Sequence, residues 1–187
     1  TEPNFGSDTG DIITRSYPTD DPRIWKIKGT KMFITAGDQG TCENTIHLVL
    51  ARPEGGAAGS PGIGLYVVPK SWVNDDGTID KFNDVTTVGV EHKMGLHAQA
   101  TALLNFGDEE NCRGIMLGPA PDARGFSQGL AMMFHMMNES RIGTGHNANT
   151  QGAAAYYFAS QFATERIQGR PFGIKGAERV PIIKHED

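Results

Sequence analysis

The sequence predicts an α+β chain: a small antiparallel β-barrel or sandwich over residues 1–117, followed by a long α-helix of the kind found in helical bundles. Three observations predict it. Up to about Leu117, short runs of Val, Ile, Thr and aromatic residues are broken repeatedly by Gly, Pro, Asn and Asp, the texture of a small all-β unit. From about Arg124 the texture changes, and a proline-free stretch from Gly129 to Ile167 carries Ala, Met, Phe, Gln and Glu. Glycine is abundant, 24 of 187 residues, against roughly 7% in an average protein, so the chain turns tightly or brings its backbone close to something.

In chain order, Trp25–Lys28 and Lys31–Thr35 flank Gly29-Thr30 and predict a tight hairpin. Residues Thr45–Arg52 and Gly62–Val68 read as buried strands, with the Gly-, Ala- and Pro-rich Pro53–Pro61 as the loop between them. Ser71–Asp84 reads as a polar excursion holding Trp72 and Phe82, and Val88–Lys93 and Ala100–Phe106 complete the strands. In the helix, Leu130, Phe134, Met137 and Arg141 share one face, continued by a stripe of small residues through Gly145, Gly152 and Ala159. Gly143, Gly145 and Gly152 each cost about 1 kcal/mol against Ala in a helix, which points to close approach by another helix or a ligand, simple packing being the commoner cause. After Gly169 the chain reads as loop, and Pro181–Asp187 as a cut end. An apolar helix without partner helices does not make a self-sufficient domain.

Net charge is −5, from 17 basic and 22 acidic residues. That balance argues against nonspecific nucleic-acid binding, which needs a basic footprint. No apolar run approaches the roughly 20 residues of a membrane span. Cys42 and Cys112 are far apart and fit no metal spacing, and the six histidines are scattered, so no metal site is expected and a reduced, cytoplasmic setting is the default.

Five segments could carry chemistry. In Thr1–Asp8, Gly6 allows an unusual backbone conformation, Ser7 and Asp8 can cap or turn the next segment, and successive amides could form an anion-binding nest. In Lys28–Gly37, Phe33 and Thr35 share a strand face, where an aromatic could cover a flat ring and a hydroxyl could bond its edge. Glu91–Leu96 precedes a strand. In the helix, Asn138 and Arg141 share a face, and an Arg among apolar neighbours either pairs with a carboxylate or binds an anion. Glu165–Gly173 is a helix end running into a basic loop.

The order of these motifs is more telling than any one of them. Thr-Glu-Pro-x-x-Gly-Ser-Asp, then Gly-x-Lys-x-x-Ile-Thr, then Lys93-Met94-Gly95, then Arg141, then Glu165-Arg166-x-Gln168-Gly169 resembles the acyl-CoA dehydrogenase family from Thr1 to about Gly173. Met132–Gly145 and Glu165–Pro171 look most like its long bacterial members, among them broad-range fatty acyl-CoA and 3-methylmercaptopropionyl-CoA dehydrogenases. The resemblance implies that residues 1–117 are a middle β-domain and 118–187 the start of a C-terminal helical domain. It implies FAD as cofactor, an acyl-CoA substrate, electron-transfer flavoprotein as acceptor and a homodimer or homotetramer.

By the same resemblance, Thr1 sits where the family directs a hydroxyl at the flavin ring, and Ser7 with the Gly6 backbone at the pyrophosphate and CoA side. Phe33 stands in for the more usual Trp on the isoalloxazine, and Thr35 matches the Thr that bonds flavin N5. Asn138, where relatives often have Asp, and Arg141 lie near the acyl-CoA. Arg166 and Gln168 reach the FAD of a neighbouring subunit. The implied reaction is removal of the proton alpha to the thioester by a carboxylate, with hydride transfer from the beta carbon, giving a trans-2-enoyl-CoA. An acyl-CoA oxidase and a DNA-associated, non-dehydrogenase relative share the scaffold.

The departure is the base. In most relatives it is a Glu well downstream, and in some it is a Glu immediately before the helix Arg, where this chain has Ser140. Glu139 is one residue off, rotated about 100° around the helix. No catalytic residue is therefore expected in this chain. By itself it is expected to be inactive, to hold FAD weakly or not at all, and to have a loose opening loop.

Overall fold

A computed structural model describes residues 1–185. Nine strands and one long helix dominate: β1 (Arg15–Pro18), β2 (Ile24–Thr35), β3 (Ile46–Pro53), β4 (Gly64–Pro69), β5 (Ser71–Val73), β6 (Ile79–Phe82), β7 (Val85–Val90), β8 (Thr101–Phe106), β9 (Arg113–Leu117) and α1 (Gly129–Glu165). The chain forms two compact units, Thr1–His135 and Met136–Asp187, each described by itself.

In the first unit the strand order is β1-β3-β4-β9-β2-β8-β7, and β1 also pairs with β2. That extra pairing closes five strands into a ring, and β8 and β7 extend from the far half of β2. All pairings are antiparallel except β1 with β3. The small β-barrel with a long helix is thus observed. Its core collects the inward residues of alternating strands, including Trp25, Ile27, Val49, Tyr66, Leu104 and Phe106. Ser16 on β1 donates to the buried Tyr66 hydroxyl on β4 at 2.6 Å, a polar tie inside this wall.

Several elements differ from expectation. Gly29-Thr30 is no hairpin, because β2 runs straight through it as one strand of 12 residues. Its first half pairs with β1 and β9 and its second half with β8. Gly29 is where Thr14 crosses, and a Cβ there would lie 2.8 Å from the Thr14 Cα. The glycine permits a strand crossing rather than a turn. The segment Ser71–Asp84 holds the hairpin β5–β6. The strand expected at 88–93 begins three residues earlier, and β1 and β9, both short, were not expected as strands at all.

Helix α1 covers nearly the span expected. Its buried residues are Gly129 and Met133; Phe134, from the expected face, is exposed and Met137 half-buried. A Cβ on Gly129 would come within 2.6 Å of the Gly64 Cα, so backbone-to-backbone contact seats the first turn on β4. In the second unit, Gly143, Gly145 and Gly152 meet nothing within 4 Å. After α1 the described chain folds back: Ile167 bridges Pro181, and Ile182–Lys184 forms a 3-10 turn. Glu186 and Asp187, the last residues of the expected cut end, lie outside the described residues. No helix among the described residues is long and apolar enough to cross a membrane.

Candidate functional site

The opening loop is tied down through Glu2. Its buried carboxylate accepts the amide of Ile13 (2.7 Å), the amide and hydroxyl of Thr14 (3.1 and 2.6 Å) and the Lys31 ammonium (2.8 Å). Burial pushes this carboxyl up, but the bonds from Lys31 and Thr14 outweigh it and hold Glu2 below the ordinary carboxylate value. Burial lowers Lys31, and Glu2 only partly restores it. Glu2 also exchanges backbone hydrogen bonds with Phe5. A loose loop is therefore not what is observed.

Thr1 is placed by its neighbour. Its hydroxyl donates to the Met32 carbonyl, and its own carbonyl accepts the Met32 amide at 3.0 Å. This brings Thr1 against the stretch that holds Phe33 and Thr35. There β2 carries a bulge: Lys31 pairs with Leu104 and Ile34 with Ala102, so three steps on β2 face two on β8. Phe33 sits at φ 60, the left-handed region, within this bulge, where a bulky side chain is strained. Its ring is 58% exposed. Thr35 is exposed as well, while Lys31 is buried and Ile34 half-buried. An exposed aromatic, two hydroxyls and a strained backbone thus gather on one end of β2.

Gly6, Ser7 and Asp8 are exposed. Gly6 does not use the left-handed region, and Asp8 precedes the 3-10 turn Thr9–Asp11 without capping it through its side chain. The turn is held instead by backbone bonds, Thr9 donating to Ser7 and Asp11 to Asp8. Among the described residues nothing accepts a hydrogen bond from the amides of Gly6, Ser7 and Asp8, which leaves these donors available to an anion.

A cavity of about 110 Å³ is lined by Thr1, Phe5, Lys31, Ile34, His47 and Met133 among others. That is below the roughly 300–1,000 Å³ of a typical ligand pocket; two larger clefts of about 380 and 330 Å³, the first lined by Asn83 and Arg113 and the second by Trp72 and Ile115, are not lined by Thr1, Phe33 or Thr35. His47 is a packing residue: burial lowers its pKa, and its ring meets Phe106 edge-on at 5.7 Å. Lys93 braces the Glu91–Leu96 loop through the carbonyls of Leu96 and Gln99.

In the second unit Asn138 and Arg141 are exposed, with the guanidinium 3.4 Å from the Asn138 side-chain oxygen. Arg166 approaches Gln168 in the same way at 3.4 Å. The Gln168 backbone pairs with Val180, and His185 reaches its carbonyl at 2.7 Å. The expected residues therefore fall into separate groups: Thr1 with Phe33 and Thr35, the loop of Gly6 and Ser7, Asn138 with Arg141, and Arg166 with Gln168. Glu2 and Lys31 were not expected as site residues. Read as one strand, β2 would have signalled Lys31, because Trp25, Ile27 and Lys31 share the inward phase.

No family model matches the chain. Curated relatives do, along its entire length. It is 48% identical over 188 residues to a butyryl-CoA dehydrogenase of Syntrophomonas wolfei. It is 36% identical to the 3-methylmercaptopropionyl-CoA dehydrogenase of Ruegeria pomeroyi and 39% identical to a broad-specificity linear acyl-CoA dehydrogenase of Mycobacterium tuberculosis. The chain belongs to the acyl-CoA dehydrogenase family. It spans about 30% of the length of these relatives. The butyryl-CoA dehydrogenase of Megasphaera elsdenii has the same fold, with a TM-score of 0.62 at 26% identity; 98% of this chain and 40% of that one are covered. Among the acyl-CoA dehydrogenases, this chain thus corresponds to a β-rich stretch and the long helix after it.

Proposed function

We propose that this chain is the flavin-facing segment of an FAD-dependent enzyme that desaturates an acyl-CoA thioester to the trans-2-enoyl-CoA. The observation that carries the reading is the end of β2. Phe33 is exposed in a strained conformation near Thr35, and Thr1 is bonded to Met32, the residue between Lys31 and Phe33. In this reading Phe33 would pack on the isoalloxazine, Thr35 and Thr1 would hold the ring by their hydroxyls, and the Gly6–Ser7 amides would hold the pyrophosphate. The chemistry that FAD would supply there is hydride acceptance. Asn138 and Arg141 contribute to the acyl-CoA side, and Arg166 and Gln168 to the FAD of a second subunit, which makes the enzyme a homodimer or homotetramer. Electron-transfer flavoprotein is the acceptor. The two unpaired cysteines suit a reducing, cytoplasmic setting. The catalytic Glu is supplied by sequence outside this chain.

The test is to load the full-length protein with FAD and add butyryl-CoA, the substrate named for a 48% identical relative. Anaerobic bleaching of the flavin with release of an enoyl-CoA is expected. A protein that retains no flavin after reconstitution contradicts the reading. Stoichiometric peroxide in air, with no turnover through electron-transfer flavoprotein, selects the oxidase instead.

A further inference from the structure

Glu2 and Lys31 are buried charges with no part in the function proposed for the flavin face. Their side chains are 0% and 9% exposed and form an ion pair of 2.8 Å. Regular alternation would place Lys31, Phe33 and Thr35 on one face of β2. The bulge between Lys31 and Ile34 prevents this: Lys31 keeps the inward phase of Trp25 and Ile27, and Phe33 and Thr35 beyond the bulge are exposed. With Lys31 fixed inside, the extra residue of the bulge has to fall directly after it, and it is there that Phe33 takes φ 60. Among the described residues, Glu2 is the one carboxylate within ion-pairing distance of Lys31. It is also the residue next to Thr1, which is bonded to Met32 through both its hydroxyl and its carbonyl.

We propose that Glu2 and Lys31 are positioning residues for the flavin face: their buried ion pair holds the bulge directly after Lys31 and so sets the backbone of Phe33 and the seat of Thr1 against Met32. This rests on the proposed flavin-dependent function. Removing one partner strands a buried charge, which must then seek water. For Lys31 the route to water is to leave the interior for the outer face, and that movement removes the bulge and with it the left-handed backbone of Phe33 and the seat of Thr1 on Met32. Removing both charges leaves an interior position that Met fills, while Gln at residue 2 keeps one acceptor oxygen for the amide and hydroxyl of Thr14 and gives up only the bond from the Ile13 amide.

The test uses the full-length protein with FAD and butyryl-CoA, comparing wild type, Glu2→Gln, Lys31→Met and the double variant. Glu2→Gln is expected to weaken FAD binding about 10-fold or more and to lower kcat with KM for butyryl-CoA changed less than about threefold, as misplacement of catalytic groups does. The double variant should return FAD affinity and kcat to within about threefold of wild type. Measurements are made well below each variant's melting temperature, so a purely stabilising pair would leave FAD affinity and kcat unmoved. Glu2→Gln that binds FAD and turns over like wild type overturns the proposal, as does a double variant as impaired as Glu2→Gln. If Glu2→Gln does not fold, the double variant decides alone: recovery of fold and flavin supports the lock, and failure of either overturns it. Wild type without flavin would instead sink the functional reading, a distinguishable result.

Discussion

Glu2 shows how one carboxylate can organise a loop. Four donors converge on it, from β2 and from the segment before β1. Losing a single partner from a buried pair costs about 3–5 kcal/mol, mostly because the remaining charge is left without compensation. The pH dependence follows from the direction of the shift. Glu2 is held below its ordinary value of 4.5, so its contribution is complete above that pH and is lost as pH falls through the lowered folded value. Lys31, lowered by burial, acts with the opposite sign: its contribution to stability rises as pH climbs through its folded value. Denaturant midpoints measured from about pH 7 down to about pH 3 should therefore fall more steeply for wild type than for Glu2→Gln, by up to about one proton, and the gap between them should narrow in acid. Parallel curves would show that Glu2 carries no such linkage.

At the level of elements, β2 is decisive because it belongs to two sets of neighbours. The Gly29 crossing lets its first half close the ring with β1 and β9 while its second half runs out to β8. Gly29→Ala would push a Cβ into the backbone of Thr14, 2.8 Å away, and is expected to cost about 3 kcal/mol or more in a denaturant melt. Gly40→Ala, where a Cβ meets nothing within 4 Å, should stay within about 0.5 kcal/mol of wild type. Equal effects would refute the crossing as the reason for the glycine. The same element shows where sequence reading fails. A glycine between two apolar runs has the same local signature whether the chain reverses or crosses another strand, and only the position of Thr14 distinguishes them. Taking it for a turn also hid Lys31, whose inward phase shows only when residues 24–35 are one strand. β1 and β9 were missed for a related reason: each is short, and Ser16 and Gly114 hold inward positions that apolar patterning does not mark.

For the molecule as a whole, the helix is the unfinished part. Beyond Met133, α1 carries Ile142, Tyr156, Tyr157, Phe158 and Phe162, each at least 59% exposed. Surface of that kind marks a site of association. The 187-residue chain produced by itself is expected to sediment above its monomer mass of 20.2 kDa, and Phe158→Ser with Phe162→Ser should shift it toward that mass. A monodisperse monomer before substitution would mean that this face is not adhesive.

Local chemistry was enough for the strand-rich first part, most of the helix span and the order of motifs that resembles one enzyme family. Turn residues, β-branched runs and a proline-free helical stretch act within a few residues and leave their mark in the chain itself. Other features depend on partners distant in sequence: the closure of β1 onto β2, the passage of β2 past Thr14, and the burial of Lys31 against Glu2. Each joins groups that are distant along the chain and ordinary in their individual propensities, so packing alone decided them. The bulge that turns Phe33 outward is of the same kind, since the register of β2 is defined only against β8.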